Sequence, residues 1–129
     1  MYYDRNLIRS PIQWAICLTP EAFDKAQKQL NVPKQYRGEW ITDGFNATVH
    51  HITDADRKYS VVCYRPDKTR SRSQQFAMLV HEAVHIWQRI REAMGENAPS
   101  SEFEAYSIQS ISQDLMQSLD EHFSNRRKK

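Results

Sequence analysis

The sequence predicts a single α+β domain, and three observations predict it. The 129 residues suffice for one core that buries about two-thirds of the surface the unfolded chain exposes. Residues 39–65 carry strand chemistry broken by two turn signals, while residues 71–94 carry apolar side chains at spacings of three and four. The expected order is a short helix, a small antiparallel sheet, a long helix packed on one face of that sheet, and a C-terminal closing helix.

The first helix is expected from Pro20 to Leu30, with Thr19 as N-cap, Pro20 in the first helical position and Ala22, Phe23, Ala26 and Leu30 as its apolar stripe. Trp40 and Ile41 lead as a strand into the turn Asp43-Gly44. A second strand, Ala47 to Thr53, is followed by the turn Asp54-Ala55-Asp56 and a third strand, Tyr59 to Arg65. The long helix starts after a cap at Ser71 or Ser73, runs through Phe76, Leu79, Val80, Ala83, Trp87, Ile90 and Met94, and stops at Gly95.

Inside that helix stands His81-Glu82-Ala83-Val84-His85. Histidines four residues apart lie about 40° apart around a helix, so both imidazoles can reach one metal with Glu82 beside them. Each lies about 160° from Ala83, the centre of the apolar stripe, so neither belongs to the core-facing side. A pair of solvated surface histidines is the plain alternative. A catalytic zinc site takes three protein ligands and leaves one position for water, whose pKa it lowers.

A third ligand is sought in the next helix. Glu96-Asn97-Ala98-Pro99-Ser100 reads as a short connection, and helical spacing resumes near Ser101 with Glu102-Phe103-Glu104-Ala105-Tyr106. Glu102 and Glu104 differ by about 200° around a helix, so both cannot face one ion. With Ser101 as N-cap, Glu104 completes an S-x-x-E capping box. It also continues the line Ile108, Ile111, Leu115, Leu119, which points its face inward. The residues alone leave the choice open.

His81-Glu82-x-x-His85, a short connection and Glu102-Phe103-Glu104-Ala105-Tyr106 together resemble the gluzincin branch of the zincin metallopeptidases. The chain is similar to ImmA/IrrE-like peptidases and to small phage-encoded HExxH proteins. The resemblance covers roughly residues 72 to 120. It implies a minimal zincin-like domain holding Zn2+, with His81, His85 and Glu102 as metal ligands and Glu82 as general base. Tyr106 falls where the family often carries Asp or Asn to orient a ligand histidine, a departure from the pattern. As a phenol it could instead donate to a developing oxyanion, with core packing as its alternative role. The resemblance also implies that an edge strand beside the metal, Ala47 to Thr53 or Tyr59 to Arg65, holds extended peptide by main-chain pairing. The metzincin motif is excluded, because it needs Gly and His where this chain has Gln88 and Arg91.

His50 and His51 point to opposite faces of their strand, so at most one can face the site. His122 is expected on the surface. Two cysteines, Cys17 and Cys63, make neither a metal knuckle nor a disulfide framework. Pro11 to Leu18 lacks a charged lead and a cleavage site, and no run reaches the ~18 apolar residues of a membrane span, so a cytoplasmic chain with reduced thiols is expected. The net charge is +2, and the basic tail at about residues 124–129 ends in Arg126-Arg127-Lys128-Lys129, which leaves the rest at −2. Nucleic-acid binding is not indicated. The sequence thus points to a zinc-dependent metallopeptidase acting on a protein or peptide substrate, with a non-catalytic binding or regulatory module on the same scaffold as the alternative.

Overall fold

The computed structural model describes residues 9–127 and gives an α+β architecture, a three-stranded sheet with helices on both faces. Strand β1 (Ile12–Cys17) leads to helix α1 (Pro20–Gln29) and a short 3-10 turn at Lys34–Tyr36. Strands β2 (Ala47–Asp54) and β3 (Arg57–Tyr64) follow, then helices α2 (Arg72–Met94) and α3 (Ser101–Arg127). The sheet order is β1-β3-β2.

The sheet is mixed, where an antiparallel one was expected. β2 and β3 form an antiparallel hairpin whose register closes on Asp54 and Arg57, as the turn signal predicts. β1 pairs parallel with β3, from Ile12 opposite Lys58 to Cys17 opposite Cys63. The expected strand at Trp40 and Ile41 does not form. Both residues instead pack from a loop onto the cluster of Cys17, Phe23, Val61 and Cys63, and Trp40 Nε1 donates to the Cys17 carbonyl at 3.3 Å.

Both faces of β3 are covered, which is why its sequence is a nearly continuous apolar run. Val61 and Cys63 face α1, while Val62 and Tyr64 face α2 and α3. α2 sends Leu79, Ala83, Ile86, Trp87 and Ile90 into the larger core against Ile12, Val62, Ile111, Leu115 and Leu119. Ser71 caps α2 and forms a capping box with Gln74. Gly95, at φ 71°, takes the left-handed conformation that ends the helix.

α3 starts one residue out of the expected capping register. Ser100 Oγ accepts from the Phe103 amide at 3.2 Å, so the box between Ser101 and Glu104 is not made. Glu104 instead accepts from Trp87 Nε1 at 2.9 Å, a link between α2 and α3 that offsets the cost of enclosing the indole N–H. α3 is helical to Arg127, so the basic tail begins as helix, and Lys128 and Lys129 lie outside the described residues.

Gln75 pins the segment before α2. It is 2% exposed, its Oε1 accepts from Tyr64 Oη at 2.8 Å and from the Asp67 amide at 2.9 Å, and its Nε2 donates to the Arg70 carbonyl at 3.3 Å. Leucine at this position strands two donors and an acceptor in the core. Gln75→Leu is therefore expected to cost about 2–4 kcal/mol in urea unfolding, whereas Tyr64→Phe, which removes one donor, costs about 1 kcal/mol. Equal effects of the two changes would contradict this account.

Candidate metal centre

Burying Ala83, Ile86 and Trp87 turns the opposite face of α2 outward, and that face carries His81 and His85. The two Nε2 atoms lie 3.1 Å apart. For zinc bonded to two imidazoles at 2.0–2.1 Å, neighbouring corners of a tetrahedron lie about 3.3–3.4 Å apart, so the pair fits two corners of such a site. Gln88 Oε1 lies 3.2 Å from His85 Nδ1. With the hydrogen on Nδ1 donated to that oxygen, Nε2 keeps the lone pair a metal requires.

Glu82 is half-buried beside the pair. Burial raises its pKa above the ordinary carboxylate range, while the charges of His81 and His85 pull the other way. A carboxyl group shifted upward in a cleft binds a proton more readily than a free one, as a group that takes and returns protons must.

The cleft wall opposite α2 is β2, the free edge of the sheet beside α2. Of the two strands considered as a peptide ledge, β3 is central and already paired on both sides, so only Ala47 to Thr53 offers an open edge there. One cavity of about 340 Å³ is lined by Val49, His51, Glu82, His85, Gln88 and Arg89, among others. A second, of about 400 Å³, is lined by Phe45, Ala47, Ala77, Met78, His81 and Glu82, with Asn46. They share Ala47 and Glu82, so the groove runs past Glu82 from an apolar end to a polar one.

The alternation of β2 separates its two histidines. His50 stacks on Phe23 with ring centroids 4.4 Å apart, and its Nε2 lies 3.2 Å from the Trp40 carbonyl oxygen on the α1 side. His51 faces the cleft, where its Nδ1 lies 2.9 Å from Ser60 Oγ. Desolvation of its ring, then the charges of Arg89, His50 and His85, hold its pKa below the ordinary imidazole value. Where Ser60 donates to Nδ1, Nε2 of His51 carries the hydrogen and can donate in turn.

Glu102 and Tyr106 are not brought to this place. The Trp87–Glu104 bond fixes the start of α3 against Trp87, which lies about 200° around α2 from His85. Glu102 is exposed in that first turn, and among the described residues no three His, Cys, Asp or Glu side chains are grouped to hold one ion. Tyr106, 65% exposed, lines a separate cavity of about 310 Å³ with Trp14, Trp87, Met94 and Phe103. Two cleft residues, Arg89 and Gln88, carried no signal in the sequence beyond their spacing of four and three from His85.

Comparison with protein-family models, curated proteins and solved structures gave no match.

The raised pKa of Glu82 has a stability consequence in chelator-treated protein. A carboxyl that binds its proton more tightly when folded favours folding at low pH, and that advantage is lost as pH rises from the ordinary value of 4.5 through the folded value. Glu82→Gln is expected to unfold at higher urea than the wild type at pH 7, with the gap closing near pH 4. A gap that widened toward acid would contradict the assigned direction.

Proposed function

We propose that this chain is a zinc-dependent hydrolase, a small metallopeptidase that cleaves peptide bonds in a protein or peptide lying along β2. The observation that carries the reading is the 3.1 Å approach of His81 and His85 Nε2 on the cleft face of α2, with Glu82 between the cleft's two ends. His81 and His85 would hold the ion, which when bound supplies polarisation of the scissile carbonyl and acidification of the attacking water.

The chain's own groups do the rest. Glu82 takes a proton from the attacking water at a carboxylate oxygen and delivers it to the nitrogen of the departing amine. Tyr106 lines a separate cavity, whereas His51 lines the cleft and would donate to the developing oxyanion. The open edge of β2 supplies main-chain N–H and C=O groups to an extended substrate, and Phe45 and Met78 give an apolar seat for a side chain at the His81 end.

The placement of Glu102 away from the histidines supports a second reading. In it the chain is a binding or regulatory module that uses the same cleft to hold a partner without cutting it. Glu82→Gln separates the two, because Glu82 is not among the metal donors.

The peptidase reading expects one zinc per chain by metal analysis, lost in His81→Ala and in His85→Ala. It expects Glu82→Gln to keep its zinc and lose turnover by roughly 10²–10⁴-fold. Turnover undiminished in Glu82→Gln, or metal-free protein with the histidines intact, would sink it. From the observed placement, Glu102→Ala and Glu104→Ala should both leave zinc affinity within about twofold, since even outer-shell losses cost about 10–100-fold where a residue does belong to the site. A larger loss in Glu102→Ala alone would restore that residue to the ligand set the family resemblance implies.

A further inference from the structure

We propose that Arg89 forms a carboxylate-binding subsite at the polar end of the cleft, so that the enzyme hydrolyses peptide bonds close to a free C-terminal carboxylate. This rests on the hydrolase reading above and names its substrate class. Arg89 follows His85 by one helical turn, about 6 Å along the axis of α2, and lines the same cavity as His51, Glu82 and His85. Its Nε is sealed from solvent and has no hydrogen-bond partner among the described residues.

That sealed N–H cannot itself meet a ligand, which leaves the terminal nitrogens of the guanidinium to serve the cavity that Arg89 lines. Among the described residues no ion pair joins Arg89 to Glu92, the acid in the same cavity. The charge of Arg89 reaches across the cleft, since after desolvation it is among the causes that lower the pKa of His51. The two terminal nitrogens of a planar guanidinium match the two oxygens of a carboxylate end-on.

The spacing sets which bond is cut. An extended residue spans about 3.3–3.6 Å, so one turn of helix corresponds to about two residues between a bond held at His85 and a carboxylate at Arg89. Water adds its hydroxyl to the acyl carbon and its hydrogen to the leaving amine, releasing a free amino acid or a dipeptide. The apolar end at Phe45, Ala77 and Met78 then receives a side chain on the acyl side of that bond.

The test uses the full chain carrying Glu82→Gln, which blocks turnover, titrated calorimetrically with an N-acetylated five-residue peptide of alanine with a central phenylalanine. The free acid should bind at least about tenfold more tightly than the same peptide as its C-terminal amide. Adding Arg89→Met should abolish that preference, and Arg89→Lys should keep part of it. Equal binding of acid and amide, no binding of either, or a preference that survives Arg89→Met overturns the proposal. An amidated peptide with one internal glutamate that binds as well as the free acid also overturns it, by moving recognition from the chain end to a side chain. The two levels separate cleanly: wild-type cleavage of acid and amide alike keeps the hydrolase and removes the subsite. An Arg89-dependent preference in a chain that takes up no zinc keeps the subsite and removes the hydrolase.

Discussion

One helix has to serve two opposite faces, and the rest of the structure follows from how α2 does so. Leu79, Ala83, Ile86, Trp87 and Ile90 are all buried, which fixes the rotation of the helix about its axis. A slip of one residue would turn it by about 100° and carry the histidines from the cleft into its wall. Each fully buried side chain of this size contributes about 1.5–3 kcal/mol, so the core holds that rotation far more firmly than any contact in the cleft could. The two ends are set with equal definition, by the Ser71–Gln74 box and by Gly95. The position of His81 and His85 beside β2 is thus a product of core packing on the far side of the helix.

What the sequence made legible is what depends on neighbours within a turn or two. The span of α2, its caps, the hairpin closing at Asp54 and Arg57, and the outward face of the histidines all rest on local periodicity and turn chemistry. β1 was not legible. Gln13 and Ala15 interrupt its apolar residues only weakly, and its partner, β3, lies some 46 residues further on, so nothing local marks it as a parallel strand. Trp40 and Ile41 have strand composition, but the edge they would need is not offered to them, and burial against Cys17 and Phe23 satisfies their side chains from a loop. Composition states that a residue prefers a half-buried surface; it does not state which surface.

The histidines of β2 show the same boundary at the level of the site. Alternation requires that one of His50 and His51 face each side of the sheet, and it cannot say which. The structure decides through Phe23, whose ring stacks on His50 beneath α1, and through Ser60, which stands directly across the strand pair from His51. Arg89 is legible only afterwards. Its spacing of four from His85 is visible in the chain, but its place in the cleft and its sealed Nε are products of the packing.

α3 marks where reading by resemblance and reading by packing diverge, and the physical cause is a single hydrogen bond. Glu104 could have capped its own helix; it reaches Trp87 instead, and the indole it satisfies belongs to the core face of α2. Once that bond forms, the first turn of α3 lies against the side of α2 that points away from His81 and His85, and Glu102 is left in solvent. Trp14, whose Nε1 donates to Asp114 at 2.9 Å, ties β1 to the same helix further along and reinforces that seat. α3 therefore acts on the cleft only through the rotation it helps impose on α2. Moving Glu102 to the histidines would require undoing the Trp87–Glu104 contact and leaving a nearly buried indole N–H unpaired, a cost of about 1–3 kcal/mol.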